Sequence, residues 1–425
     1  MLVRTLYYLP QVLAREWKTT ASIQKYSLVK ARSLLREVSR TNMFYKKKLE
    51  NINVEEIQSI EDLSAIPFTT KDELREAFPG AISKGYTLKG CIHESTSGST
   101  GDVLNIYHDP VAYSFYDAVS LREYVGFHLW PWYKMSYIRF ESQPKRLFEH
   151  LGLLRKYYVP VTASAEKQLR LAQSHNPQVI SGYPSSLYEM ARIYKEDPVP
   201  LDLRMVLCNS EVLTDTTREY LESAFGCPVY NDYSSFELHN IGAECSFKSM
   251  HIHIDNNIVE IIKDGEQAAP GETGEIVVTN IRNRAMPFIR YRTGDYGALS
   301  EELCPCGRGL PVLKSIEGRK DEYLVLPSGG HVSPRVFDPL DLIFHQYVSK
   351  FQIVQKQKNK FLIKLVRGAN YHDDVTKTLI KEAKKCFPQP IDVEVIPVED
   401  ISRTGRCKLR AVLCEVNHDP EASYF

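Results

Sequence analysis

A chain of 425 residues exceeds what one ordinary hydrophobic core supports, so its length points to more than one domain. With 43 % hydrophobic and 25 % charged residues it has the balance of a globular protein, which excludes wholesale disorder. Lysine plus arginine and aspartate plus glutamate stand at 53 each; this excludes an extended basic surface for nucleic acid but leaves room for a local nucleotide site.

The apolar residues of Met1 to Pro10 end too soon for a signal-peptide core or a membrane span, and no other run reaches the about 18 apolar residues a spanning helix needs. The expected setting is cytoplasmic, without a membrane span. Nine scattered cysteines then make metal ligation a better question than a disulfide framework. Residues 1–60 read as mostly helical, with apolar residues at helical spacing from Ser27 to Val38. From about 90 to 300 short β-rich runs alternate with amphipathic stretches: Gln178 to Gly182, Ser185 to Tyr194, Leu203 to Cys208 and Thr216 to Phe225. Strand, helix, strand, helix predicts an α/β layered domain. Between 251 and 300 the strands crowd together, punctuated by Gly265, Gly271, Gly274 and Asn280, which predicts an antiparallel or barrel-like addition. Beyond Gly318, the runs Phe351 to Gln355, Lys360 to Val366 and Ile391 to Ile396, with a helix over Val375 to Cys386, suit a small α+β domain. The expected division is 1–320 and 321–425.

Residues 95–101 read Ser95-Thr-Ser-Gly-Ser-Thr-Gly. Such clusters are most often surface turns. Here the glycines also let consecutive amides curl towards one anion, with hydroxyls as further donors. No Gly-Lys-Ser/Thr follows, so this is not a Walker loop. Later come Tyr291-Arg-Thr-Gly-Asp, Gly318-Arg-Lys-Asp and Arg403-Thr-Gly-Arg-Cys-Lys-Leu-Arg. In this order and spacing the four segments resemble the signatures of the adenylate-forming superfamily, especially its phenylacetate-CoA ligase branch and the capsular-polysaccharide, CapK-like relatives. Gly182-Tyr-Pro-Ser-Ser-Leu and Cys304-Pro-Cys-Gly-Arg add to the likeness, which runs over residues 30 to 415 or so.

The resemblance implies a large N-terminal adenylate-forming domain of layered sheets and helices, plus a small mobile α+β C-terminal domain hinged at Asp321. It implies activation of a small carboxylic acid, aromatic acids included, by ATP and Mg²⁺, then transfer to a thiol, coenzyme A or a carrier protein, or to an amine. Thr96, Ser97, Gly98, Ser99, Thr100 and Gly101 would meet the ATP phosphates. Tyr233 would flank the adenine, Ser235 would offer a hydroxyl, and Glu237 would hold Mg²⁺, a hard cation suited to carboxylate. Asp295 would accept from the ribose diol, and Arg319 would touch ribose or phosphate. Ser210 and Glu211 fall at the cofactor site and, with Tyr133, Tyr137, Phe140 and Tyr183, at the acid pocket. Lys408 would be catalytic: attack of a carboxylate on a phosphate joins two anions, so a mobile cation must neutralise charge as it builds.

Cys245, His251, Cys304 and Cys306 form a tetrahedral set suited to a structural Zn²⁺, with His253 competing for the fourth place. Three positions depart from the family pattern: Asp102 replaces a lysine after the loop, Phe236 replaces a hydroxyl residue, and Cys407 replaces a glycine. They keep open an alternative, a catalytically degenerate nucleotide-binding scaffold in a polysaccharide or secondary-metabolite pathway; a metal hydrolase using the Cys/His set is a third. A homodimer is an expected assembly.

Overall fold

The computed structural model describes residues 1–96, 103–140, 142, 147–328, 330–387, 389–402 and 410–416. In chain order, helices α1 (Leu2–Arg15), α2 (Thr20–Thr41), α3 (Met43–Lys48) and α4 (Lys71–Glu76) precede a hairpin of β1 (Ile92–Ser95) and β2 (Asn105–His108), then α5 (Pro110–Gly126). An alternating stretch follows: β3 (Lys134–Arg139), α6 (Leu147–His150), β4 (Arg155–Pro160), α7 (Ala165–His175), β5 (Val179–Gly182), α8 (Pro184–Glu196), β6 (Met205–Asn209), α9 (Asp215–Phe225) and β7 (Val229–Ser235). Seven strands come next: β8 (His239–Glu244), β9 (Met250–Ile252), β10 (Asn257–Lys263), β11 (Glu266–Gln267), β12 (Gly274–Asn280), β13 (Tyr291–Leu299) and β14 (Val312–Arg319). The remainder holds β15 (Leu324–Val325), β16 (His331–Val332), α10 (Asp341–Tyr347), β17 (Val348–Gln357), β18 (Lys360–Arg367), α11 (Asp373–Lys385), β19 (Asp392–Pro397) and β20 (Val412–Cys414).

Two compact units emerge. The first joins Met1–Leu129 to Asn231–Ile316, and the second joins Trp130–Tyr230 to the chain from Glu317 onward. In the first unit α2 buries Ile23, Ser27, Ala31, Leu34, Leu35 and Val38, the spacing of one helical face. These side chains share a core with Ile258, Ile276, Val278, Phe288 and other residues of the antiparallel strands. The strands run in the order β11-β10-β12-β13-β14-β9-β8-β7. Four places separate β13 from β7, about 19 Å in a flat sheet. Their side chains nevertheless hydrogen-bond, Tyr233 to Asp295, so the run curls on itself. Of the two alternatives expected for 251–300, the strands show antiparallel pairing.

In the second unit β6, β5, β3 and β4 lie side by side, with β3 parallel to β4 and β5, and β5 parallel to β6. Every residue of β5 and β6 is buried, the mark of a parallel strand covered on both faces. Ile180, Val206, Leu187, Met190 and Leu221 form its core. The segment from Leu324 has its own core, with Phe337, Phe344, Ile353, Ile363 and Leu379 under the sheet β19-β18-β17-β20.

A candidate nucleotide site and a candidate metal centre

In the sequence the Ser/Thr/Gly segment falls between two strands that pair as a hairpin. β1 and β2 pair antiparallel from Ile92 opposite His108 to Ser95 opposite Asn105. Thr96 extends the ladder: its N–H donates to Leu104 O at 3.1 Å, and its Oγ1 accepts from Leu104 N at 3.0 Å. Both bonds hold Thr96 against Leu104 at the end of the hairpin. Ser97, Gly98, Ser99, Thr100 and Gly101, with Asp102, Cys407 and Lys408, lie outside the described residues.

Three other expected residues come together in the first unit. Tyr233 on β7 donates its hydroxyl to Asp295 Oδ2 on β13 at 2.7 Å. Glu237, two residues past β7, accepts from the Tyr291 hydroxyl at 3.2 Å. The β7 segment with the turn after it, and β13, thus each contribute one tyrosine and one carboxylate to a reciprocal pair. Gly294, at φ 77°, turns the backbone in the left-handed region just before Asp295, whose N–H donates to Thr293 Oγ1 at 3.0 Å. Ser235 accepts from Leu238 N at 3.2 Å, so its oxygen is engaged with the local backbone.

Next to these residues is a cluster that sequence reading missed. Glu94 Oε2 stands 3.1 Å from His239 Nε2 and 3.4 Å from His108 Nε2. Burial raises the Glu94 pKa, but the two imidazoles outweigh it and hold the carboxyl well below its usual range. Burial lowers the His108 pKa, so that ring stays neutral. The Asn283 amide nitrogen faces His108 Nδ1 at 3.2 Å, which leaves the proton on Nε2, near Phe236 O at 2.9 Å. A metal-bound histidine needs an acceptor at its second nitrogen; His108 meets a donor. The set therefore reads as a clamp that ties β1, β2 and the Phe236–His239 turn together. The one local signal was His93-Glu94 just ahead of the loop.

The Cys/His set passes the same test. Cys245 Sγ lies 3.5 Å from Cys304 Sγ, and Cys306 Sγ 3.2 Å from His251 Nε2; all four ligand atoms lie within 4.8 Å of one another. The sulfur separation is far beyond a disulfide bond. His251 Nδ1 faces the Leu310 carbonyl at 3.2 Å, which leaves Nε2 free of its proton and pointed at the thiols. Burial pushes His251 down to about 4, so the ring is a neutral ligand at ordinary pH. The backbone N–H groups of Phe247 and Cys306 donate to Cys245 and Cys304 sulfur. His253 is corrected as a competitor: β9 ends at Ile252, and His253 instead contacts Glu123 at 2.8 Å and Arg122 at 2.9 Å.

In the second unit Ser210, at φ 69°, accepts from Arg139 Nη1 at 3.0 Å. The Arg139 guanidinium lies over the rings of Tyr137 and Tyr183, 4.6 and 5.6 Å from their centroids. Tyr137, Tyr183 and Ser210 are thereby gathered around an arginine that the sequence did not single out. Glu211 instead accepts from Ser185 N at 3.0 Å and Ser185 Oγ at 3.2 Å, capping the start of α8. Arg319 is exposed at the end of β14, and Phe140 is also exposed.

Known proteins bear on this arrangement. Residues 324–415 match the sequence profile of the CapK C-terminal domain. A phenylacetate-coenzyme A ligase of Thermus thermophilus is 28 % identical over 342 residues, 74 % of each chain. Protein CapK of Staphylococcus aureus is 23 % identical over 364 residues, 82 % of this chain and 78 % of its own. A crystal structure of 2-hydroxyisobutyryl-CoA ligase, in the postadenylation state with 2-HIB-AMP, shares the fold with a TM-score of 0.80 at 19 % identity, over 94 % of this chain and 91 % of that one. Over most of its length the chain is thus similar to the phenylacetate-CoA ligases and to CapK, and it shares the fold of 2-hydroxyisobutyryl-CoA ligase.

Proposed function

We propose that this protein is an AMP-forming acid ligase. In the first half-reaction a carboxylate oxygen of the acid attacks the α-phosphorus of ATP, the bond to the bridging oxygen breaks, and pyrophosphate leaves. In the second, a thiol attacks the acyl carbon of the adenylate and AMP leaves; coenzyme A is the acceptor favoured by the relatives, with a carrier-protein thiol or an amine as the others. The observation that carries this reading is the reciprocal pair at β7 and β13: Tyr233 donating to Asp295, and Tyr291 donating to Glu237.

Each group has a definite task. Asp295 is an acceptor for a ribose diol and is oriented by Tyr233. Glu237, oriented by Tyr291, would hold Mg²⁺, which when bound neutralises phosphate oxygens. Thr96 is fixed against Leu104, and the amides of Ser97 to Gly101 would meet phosphate. Tyr137, Tyr183 and Ser210 around Arg139 would line the acid pocket, and Arg319 would contact ribose or phosphate. Lys408 supplies the cation at the reacting anions. We assign Cys245, His251, Cys304 and Cys306 to a closed structural Zn²⁺ site. We keep the functional division at 320/321; the match at 324–415 and the separate core from Leu324 support it. No helix among the described residues is long and apolar enough to cross a membrane, and we place the protein in the cytoplasm.

ATP–pyrophosphate exchange against a panel of acids, with coenzyme A added afterwards, tests the reading. Exchange should require Mg²⁺ and one class of acid, and Lys408→Ala should reduce it about a hundredfold or more. Full exchange in that variant rejects the role of Lys408. A second reading, nucleotide binding without chemistry, is favoured by Phe236, which presents a 39 % exposed ring where a hydroxyl is expected; it predicts binding with no exchange for any acid.

A further inference from the structure

Helix α1 is apolar on two sides. Its inner side packs Val12, with Tyr8 and Leu9, on Phe115, Ala118 and Val119 of α5. Polar bonds fix it there: Arg122 Nη1 donates to Val12 O at 3.2 Å, and Arg15 pairs with buried Asp255 at 2.9 Å. The outer side carries Val3, Leu6, Tyr7, Pro10, Ala14 and Trp17, all exposed. Val3 is 82 % exposed, Leu6 55 %, Tyr7 67 % and Trp17 57 %. Positions 3, 6, 7, 10, 14 and 17 recur at helical spacing, so they form one stripe along α1 and its exit turn. An apolar stripe held open to water by a rigid inner attachment is a binding face.

The charges beside the stripe indicate what covers it. Among residues 1–25 the exposed charged side chains are Arg4, Lys18 and Lys25; the one acid, Glu16, is buried and pairs with Arg308 at 3.0 Å. A two-fold pairing of this face with a second copy would set cations against cations. A bilayer surface with anionic headgroups matches both features. Acyl chains accept Val3 and Leu6, the aromatic rings of Tyr7 and Trp17 suit the headgroup boundary, and phosphates attract Arg4 and Lys18. We infer that the outer face of α1 docks this protein on an anionic membrane surface, lying on the bilayer without spanning it. The α1 face lies apart in kind from the nucleotide chemistry, since none of its residues is assigned a role there.

Flotation of the full-length protein with phosphatidylcholine vesicles, with and without about 30 % phosphatidylglycerol, tests this. Binding to the anionic vesicles should exceed binding to neutral ones at least about tenfold and weaken in about 0.5 M salt. Leu6→Glu with Tyr7→Glu should abolish it while the unfolding midpoint in solution stays unchanged. Arg4→Gln with Lys18→Gln, which leaves the stripe intact, should lower anionic binding alone and decides the matter if the first variant does not fold. Equal binding to both vesicles, or none to either, overturns the inference. So does a doubled mass in light scattering that the Leu6/Tyr7 variant halves, since that assigns the face to a second copy.

Discussion

The phenol of Tyr233 occupies one oxygen of Asp295 at 2.7 Å and so turns the other towards whatever lies beyond it. Replacing Tyr233 with phenylalanine removes one donor to a charged acceptor, a loss of about 1.5–3 kcal/mol where it is fully felt. A Michaelis constant for ATP raised about tenfold or more, with a smaller change in turnover, is the expected kinetic result. Asp295→Asn should act in the same direction and more strongly, because the acceptor pair for the diol is lost. Tyr233, Asp295 and Glu237 were legible because each sits inside a short local motif. Tyr291 stands in such a motif too, but its partner Glu237 is 54 positions away, and nothing local announces the bond. Arg139 was missed because an arginine ending a strand is ordinary; only the fold sets it against Ser210, 71 positions on. The Glu94 clamp joins three segments for the same reason. At Glu211 the nearby start of α8 offers N–H groups without helical partners, and its carboxylate accepts from Ser185 N there.

Elements raise questions of stability. The Cys/His centre links β9 to the turn before β14 and draws its histidine tautomer from the Leu310 carbonyl. Purified protein should contain about one zinc per chain, and Cys304→Ser should lose it and lower the unfolding midpoint by several degrees. Zinc content by elemental analysis, followed before and after chelation, checks both. Helix α10 carries two opposed titrations. Burial pushes Asp341 up to about 6, against the Thr214 hydroxyl that donates to it at 2.8 Å and with Asp338 adding to the rise. Burial pushes His345, between the rings of Tyr188 and Tyr220, down to about 4. A raised acid favours folding below its unfolded value of 3.8 and loses that contribution as pH rises through about 6. A lowered histidine favours folding above 6.5 and loses that contribution as pH falls through about 4. Each is worth up to about 3 kcal/mol and the windows overlap, so the wild type should be nearly flat. Asp341→Asn should then be more stable than wild type near pH 8, equal near pH 4, and acid-sensitive between, as urea unfolding at each pH would report. The order of strands and helices could be read from periodicity, but α5 could not. It buries Ala112, Ser114, Phe115, Tyr116, Ala118, Val119, Arg122 and Glu123, which lie on more than one face and blur the helical repeat.

At the scale of the molecule, each compact unit is built from two separated stretches of chain, so a stretch read alone never shows what completes its core. That is why a linear reading divides the protein at one point near residue 320, whereas the compact units require crossings at 129/130, 230/231 and 316/317. Binding and chemistry can be separated at this scale by linkage. A ligand that binds only the folded state at a hundred times its dissociation constant adds about 2.7 kcal/mol, several degrees in the unfolding midpoint of a unit this large. MgATP should produce that shift in the wild type and equally in Lys408→Ala, because a residue acting on the developing charge contributes little before reaction. Asp295→Asn should lose most of the shift, since its contacts are made in the ground state. Pyrophosphate exchange measured on the same samples should fall about a hundredfold or more in Lys408→Ala, and in Asp295→Asn should fall at low MgATP and recover in part as MgATP is raised. A shift shared by wild type and Lys408→Ala, with exchange in the wild type alone, is the pattern a ligase must give. A shift in both with exchange in neither belongs to a binding scaffold, and the absence of any shift removes the nucleotide from the account.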